Sequence, residues 1–186
     1  MSKPIKIVGL GGALANTSTS LFALKIALES AASAGAEIEL FDLMEMQLPL
    51  YDLTSDVIPE AAQRFCDATE SAQGMIWASP LYHGTVSGVF KNALDWLELL
   101  GKKEFPYLTN KVVGLISTAG GTQGLQAINT MEFIVRSLRG WTVPLTVPIA
   151  NTWEVFDKAG NLNNEKVRQQ LDQLGKEVVI CAQRFA

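Results

Sequence analysis

Short apolar runs alternate with longer segments of helical periodicity along the chain. Five runs have the length of a strand: residues 5–10, 37–43, 74–79, 111–118 and 141–150. Helical patterns follow at residues 21–34, 59–73, 86–100, 124–138 and 167–179. Gly35 is typical of a helix end and Pro59 of a helix start, while residues 44–58 and 151–164 read as loops. This order predicts an α/β fold with a parallel sheet covered on both faces.

The strand sequences also indicate where each strand lies in the sheet. Residues 74–79 are almost continuously apolar, as expected for a central strand between two helical layers. Pro144 and Pro148 remove donors from the ladder, which places the last strand at an edge. Five strands and five helices therefore predict a doubly wound sheet of order 2-1-3-4-5.

Length and composition limit the number of domains and the classes of partner that the chain can have. A chain of 186 residues fits a single domain, taken as residues 1–186. With 48% hydrophobic and only 18% charged residues, the chain is apolar enough to indicate extensive burial, either within the domain or between subunits. The net charge is −4 and there is no run of Lys or Arg, so nucleic acid is not an expected partner.

The sequence pattern and the residue counts also bear on localisation and on metal binding. Residues 1–4 lead directly into a strand without a signal-peptide pattern, and the apolar runs are too short to span a membrane, so we expect a cytoplasmic protein. One histidine and two cysteines make a metal site improbable, and none is predicted. Cys66 and Cys181 lie far apart in helical patterns and are predicted to be buried thiols.

Ligands of doubly wound sheets bind at the carboxyl ends of the strands, which here points to the loops after strands one, three and four. The first loop combines Gly12 with a run of polar residues at a helix start, and these are Asn16, Thr17, Ser18, Thr19 and Ser20. One such hydroxyl would suffice as an N-cap, but the run also predicts a phosphate site made of hydroxyls and backbone N–H groups. No Lys or Arg lies in this loop, so neutral donors would hold the phosphate.

The first loop departs from two other nucleotide-binding motifs. The Walker sequence, with Gly-Lys before Ser or Thr, is absent. A dinucleotide fingerprint could start at Gly9 and Gly11, but it meets Leu14 where Gly or Ala is required. Asp42, at the end of strand two, keeps a dinucleotide-binding protein open as a weaker alternative.

The second loop carries the most specific motif. It reads Pro80, Leu81, Tyr82, His83, Gly84, Thr85, and it is followed by Gly88, Lys91, Asn92, Asp95 and Trp96. This segment resembles the NAD(P)H-dependent FMN reductases of the flavodoxin-like superfamily, as do the glycines after strand four. The resemblance implies a flavodoxin-like fold, an FMN cofactor, NADPH or NADH as electron donor, a small-molecule acceptor and a homodimer or a dimer of dimers.

The resemblance also implies roles for individual residues. Pro80 to Gly84 would lie along the isoalloxazine, and the loop with Ser117, Gly120 and Gly121 would meet its pyrimidine edge. Lys91, Asn92, Asp95 and Trp96 would hold the helix and the subunit contact. Many relatives have Ser and Arg where this chain has Gly12 and Leu14, so the choice between NADPH and NADH stays open.

In this reading no side chain is catalytic, since the cofactor itself carries the hydride and passes electrons to free flavin, a quinone, an azo compound or a metal ion. A hydrolase is disfavoured because His83 is the only histidine and the nucleophile-elbow sequence is missing. A flavodoxin-like electron carrier remains an alternative, although the mild net charge and the Pro80–Trp96 motif favour a reductase.

Overall fold

The computed structural model describes residues 4–186, so residues 1–3 of the N-terminal segment considered above lie outside it. Five parallel strands form the sheet: β1 (Lys6–Gly11), β2 (Glu37–Asp42), β3 (Gly74–Tyr82), β5 (Val112–Thr118) and β6 (Trp141–Ile149). Their order is β2-β1-β3-β5-β6, and the short strand β4 (Thr85–Val86) pairs only with the end of β3. Counted over the parallel strands, the predicted order 2-1-3-4-5 and the flavodoxin-like fold are confirmed.

The helices cover both faces of the sheet. They are α1 (Thr19–Ser33), α2 (Leu43–Met46), α3 (Glu60–Ser71), α4 (Gly88–Asp95), α5 (Leu125–Ser137), α6 (Thr152–Val155) and α7 (Glu165–Phe185). Buried residues of α1 and α7 share one core cluster with one face of the sheet, and those of α3, α4 and α5 share the other. A Cβ at Gly175 would collide with the carbonyl oxygen of Ala27, so α7 crosses α1 where the side chain is missing.

Three predicted elements are corrected by the structure. Val86 belongs to β4 and not to a helix, because the chain folds back on β3 before α4 begins, and residues 96–100 form a 3-10 segment. The predicted loop 44–58 starts inside α2, which the Asp42 side chain caps through the Met44 N–H at 2.9 Å. The predicted loop 151–164 contains α6 and a bridge between Phe156 and Leu162.

Strand β6 lies at the sheet edge as predicted, and both of its prolines are exposed. Among the described residues, no helix combines the length and the apolar character that a membrane crossing requires. Cys66 is fully buried, and burial raises the pKa of its thiol to about 12. The prediction for Cys181 was wrong in degree, since it lies on α7 only half-buried.

Candidate functional site

Sheet register brings the three predicted loops to one edge of the molecule. Gly11 at the end of β1 pairs with Ala78 of β3, and Pro80 of β3 pairs with Thr118 at the end of β5. The loops that leave these strands therefore start from adjacent positions. A ligand lying across this edge would contact all three loops.

The first loop divides its hydroxyls between structure and surface. Ser18 is buried, and its Oγ accepts from the Leu21 N–H at 3.3 Å as the N-cap of α1 and lies 3.0 Å from the Oγ of Ser20. Asn16 and Thr17 are exposed, and Thr19 is half-buried at the first position of the helix. Capping thus occupies the Ser18 side chain and leaves the others for a ligand.

The backbone of this loop offers free donors. Among the described residues, the N–H groups of Asn16, Thr17 and Ser18 have no hydrogen-bond acceptor. They precede a helix of 15 residues, whose dipole favours negative charge at this end. Gly12 has a φ of 105°, and a Cβ there would lie 3.0 Å from Asp42 Oδ1, so glycine is needed where the loop passes β2.

The second loop is a tight β-hairpin. Tyr82 pairs with Thr85 and Leu81 with Val86, leaving His83 and Gly84 as a two-residue turn. Their φ values of 49° and 87° are those of a type I′ turn, in which both central residues are left-handed. Gly84 is therefore explained by the turn itself. Tyr82 stands 51% exposed at the hairpin and can present its ring to a ligand.

Buried hydroxyls fix the base of this hairpin. The Ser79 Oγ accepts from the Ser87 N–H at 3.1 Å and donates to the Pro80 carbonyl at 3.0 Å. Ser87 also caps α4 by accepting from the Phe90 N–H at 3.3 Å. The side chains at the tip are thereby presented on a fixed support.

Two residues of the family motif have a role that the sequence did not reveal. Asn92 accepts from the Tyr51 N–H at 2.8 Å and donates to the Pro49 carbonyl at 2.9 Å. Trp96 donates from Nε1 to the same carbonyl at 3.2 Å. They tie the loop of residues 47–58 to α4, while Lys91 and Asp95 form an ion pair along the helix.

The third loop follows β5. Ser117 is buried and donates its hydroxyl to the Gly124 carbonyl at 2.7 Å, so its side chain closes the loop on itself. Gly120 and Gly121 are exposed, and within the described residues their N–H groups find no acceptor. These are donors suited to a heterocycle edge that gains negative charge. Thr118, fully enclosed beside them, carries a hydroxyl without a hydrogen-bond partner in the described chain.

These features fit an FMN molecule. The first loop supplies neutral donors at a helix N-terminus for a phosphate, and the exposed hairpin and glycine pair supply an aromatic face and two N–H groups for a ring. In residues 4–186, no three His, Cys, Asp or Glu side chains come together in a way that could hold a metal ion. The residues of the three loops can therefore bind such a molecule and orient it.

Comparison with known proteins identifies the family of the chain. Residues 5–154 match the model of the family described as NADPH-dependent FMN reductase. The chain is 29% identical over 176 residues to NADPH-dependent FMN reductase ArsH of Shigella flexneri, covering 95% of this chain and 68% of the relative. It is 35% identical over 146 residues to an FMN-dependent NADPH-azoreductase of Staphylococcus aureus, covering 76% and 74%.

A solved structure extends the likeness to nearly the whole fold. The flavoenzyme NAD(P)H:(acceptor) oxidoreductase FerB of Paracoccus denitrificans superimposes with a TM-score of 0.75 at 21% identity, covering 97% of this chain and 98% of FerB. Fold and loops define a protein of the flavodoxin-like class. The chain belongs to the NADPH-dependent FMN reductase family, which confirms the predicted FMN-dependent oxidoreductase that takes electrons from NAD(P)H.

Proposed function

We propose that residues 1–186 act as one domain that binds FMN across the three loops and passes electrons from NADPH or NADH to a small acceptor. The phosphate lies at Asn16, Thr17, Ser18 and Thr19, with Gly12 shaping the loop. The ring lies between the Pro80–Gly84 hairpin and the segment of Ser117, Gly120 and Gly121. The observation that carries this proposal is the set of N–H groups that have no acceptor among the described residues, in the loops after β1 and β5, the two strands that flank β3.

When bound, FMN supplies the two-electron chemistry by accepting hydride. The chain's own residues then have three tasks. The hydroxyls and N–H groups of the first loop hold the phosphate without a cationic side chain. The hairpin orients the ring, with His83 as a contact residue, and the N–H groups of Gly120 and Gly121 stabilise negative charge at the ring edge. Ser18 contacts the phosphate through its backbone N–H, since its hydroxyl caps α1. Ser117 is buried in β5 and holds the third loop in shape through its hydroxyl.

The rim of the site supports a planar acceptor. Leu14 is 64% exposed and Tyr82 51% exposed, so apolar surface borders the loops on which the ring would lie. A quinone or an azo compound matches such a surface better than a hydrated metal ion. The Staphylococcus relative's name, FMN-dependent NADPH-azoreductase, points the same way.

The active unit proposed here is a cytoplasmic homodimer. Large apolar side chains are exposed at several places, among them Leu50, Leu53, Val57, Phe105 and Phe133. Exposed apolar surface of this kind typically marks an association surface. Light scattering should give a dimer, and a monomer that turns over NADPH at full rate would contradict this part of the proposal.

Ligand release and mutation test the cofactor site. Protein loaded with FMN should release FMN and not FAD on heating, and Thr17→Ala should weaken FMN binding by about tenfold to a hundredfold through loss of a charge-assisted hydrogen bond. Ser137→Ala is the matched control, because that exposed hydroxyl bonds only its own helix at the Phe133 carbonyl. Unchanged FMN affinity in a Thr17→Ala and Thr19→Ala double variant would place the phosphate elsewhere.

The rival function, an electron carrier, gives a different pattern. It would bind FMN with the same dependence on Thr17 but would not oxidise NADPH or NADH. Steady-state oxidation of NADPH by the FMN-loaded protein, followed with a quinone and an azo dye as acceptors, distinguishes the two. Oxidation with either acceptor supports the reductase, and its absence with both supports the carrier.

A further inference from the structure

An exposed indole borders the third loop. Trp153 lies on α6, immediately after β6, and is 65% exposed. A Cβ at Gly120 would come 3.6 Å from Cζ3 of its ring, so the indole lies against Gly120. Because β6 is the neighbour of β5, Trp153 reaches the same edge of the sheet as the candidate flavin site.

The backbone that carries Trp153 is bound to the third loop. The Thr152 N–H donates to the Ala119 carbonyl at 3.2 Å, and the Asn151 N–H donates to the Gly121 carbonyl at 3.4 Å. Asn151 adopts a left-handed conformation with a φ of 47°, which turns the chain sharply out of β6. The indole is therefore presented on a fixed segment and not on a loose loop.

Most of the Trp153 ring lies outside the core of the chain. Ile149, four residues before Trp153, is 1% exposed and Val155, two residues after it, is 6% exposed, whereas Trp153 points away from the core. A large aromatic side chain on a rigid support, with most of its surface free, is the usual form of a residue that anchors a planar ligand.

We propose that Trp153 is a specificity-determining residue that stacks on planar aromatic acceptors at the flavin site. The proposal rests on the proposed function and adds the residue that distinguishes aromatic from non-aromatic acceptors. Stacking requires only an exposed ring face beside the place where the acceptor meets the cofactor. The neighbouring Gly120 leaves room for the acceptor to approach the ring and the loop together.

The first test measures binding without turnover. An azo dye is titrated into oxidised, FMN-loaded protein in the absence of NADPH. Trp153→Ala should raise the Kd for the dye by about tenfold, whereas Trp153→Phe should stay within about threefold of wild type because a ring is kept. Equal affinity in wild type and Trp153→Ala would overturn the proposal.

The matched control is a tryptophan on β6, the strand that precedes α6. Trp141, at the opposite end of β6, is 58% exposed and stacks on Phe185 with centroids 5.7 Å apart. The eight residue steps from Trp141 to Ile149 span about 26 Å of extended strand, so this ring is remote from the site. Trp141→Ala should leave dye affinity unchanged, and an equal loss in both alanine variants would mean a general effect of losing tryptophan.

A second test uses ferricyanide, which accepts electrons but offers no flat aromatic face. Trp153→Ala should raise KM for the azo dye about tenfold and leave kcat/KM for ferricyanide within about twofold. Equal loss with both acceptors would overturn the role in specificity. Wild-type protein that binds FMN but reduces neither acceptor would instead contradict the proposed function, so the two failures are distinguishable.

Discussion

Replacing Asn92 by alanine tests how α4 holds the loop of residues 47–58. The Asn92 amide makes both of its hydrogen bonds, at 2.8 and 2.9 Å, to the backbone of residues 49–51. The loop they hold carries Leu50 and Leu53, which are 83% and 81% exposed and so contribute little packing of their own. The Trp96 indole would still hold the loop there through its N–H, at 3.2 Å from the Pro49 carbonyl, and through the edge-on contact of its ring with Tyr51, at 5.2 Å between centroids.

The expected loss follows from these contacts. Two hydrogen bonds of about 0.5–1.5 kcal/mol each give a total of about 1–3 kcal/mol for fastening the loop. Because the loop can open without the sheet, most of this free energy should appear as local opening. The Tyr51 amide should then exchange with solvent about tenfold to a hundredfold faster, since about 1.4 kcal/mol corresponds to a factor of ten. Any share that reaches global unfolding lowers Tm by about 2–4 °C per kcal/mol.

Amide hydrogen exchange read by mass spectrometry is the assay, with peptides covering residues 47–58. The control is Asn129→Ala, an exposed asparagine on α5 whose side chain makes no hydrogen bond within the described residues. Exchange in the loop should rise in Asn92→Ala alone. Unchanged exchange at Tyr51 in that variant would show that the two hydrogen bonds do not hold the loop, and the reasoning would be wrong.

Three further predictions concern other parts of the structure. Gly84→Ala should lower the free energy of unfolding by about 1–2 kcal/mol, because Gly84 has a φ of 87°. Gly88→Ala is the control and should leave it unchanged, since Gly88 lies at the start of α4 with open space around it. Urea unfolding of the two variants measures the difference. His83→Asn should keep stopped-flow reduction of bound flavin by NADPH within about tenfold, and a loss beyond about a thousandfold at full FMN occupancy would make His83 a proton-transfer group. Burial raises the pKa of the Cys66 thiol from 9.0 to about 12 in the fold, so above pH 9 the unfolded chain loses a proton that the folded chain keeps. Stability should therefore fall with rising pH by up to about 1.4 kcal/mol per unit, and Cys66→Ala should lack this component when unfolding at pH 8 and pH 10 is compared.

The order of the strands in the sheet could be predicted from the sequence, because the signals that indicate it are local and recur along the chain. A continuous apolar run marked β3 as central, and two prolines marked β6 as an edge strand. The three loops could also be located, since their glycines and hydroxyls stand at strand ends. In contrast, which hydroxyl caps α1, that of Ser18 or that of Thr17, depends on where the helix begins. A run of five polar residues is compatible with several starting points.

Other features depend on contacts between distant segments. The Thr85–Val86 strand forms because β3 continues to Tyr82 and pairs with it. A segment of two residues has no sequence pattern of its own that would predict this strand. Asn92 was expected to be structural, but its partners in residues 49–51 lie 41 positions or more away. Trp153 stood in a turn-rich stretch without periodicity, and only the fold brings it to Gly120.

Anaerobic mixing of NADPH with FMN-loaded protein tests the central claim most directly, with flavin absorbance as the readout. The account predicts that about one equivalent of NADPH bleaches the bound flavin fully, because each hydride carries two electrons. NADH, tested in parallel, establishes the donor preference that the first loop leaves open. A protein that holds FMN at full occupancy but whose flavin absorbance stays unchanged with excess NADPH and excess NADH would contradict the account.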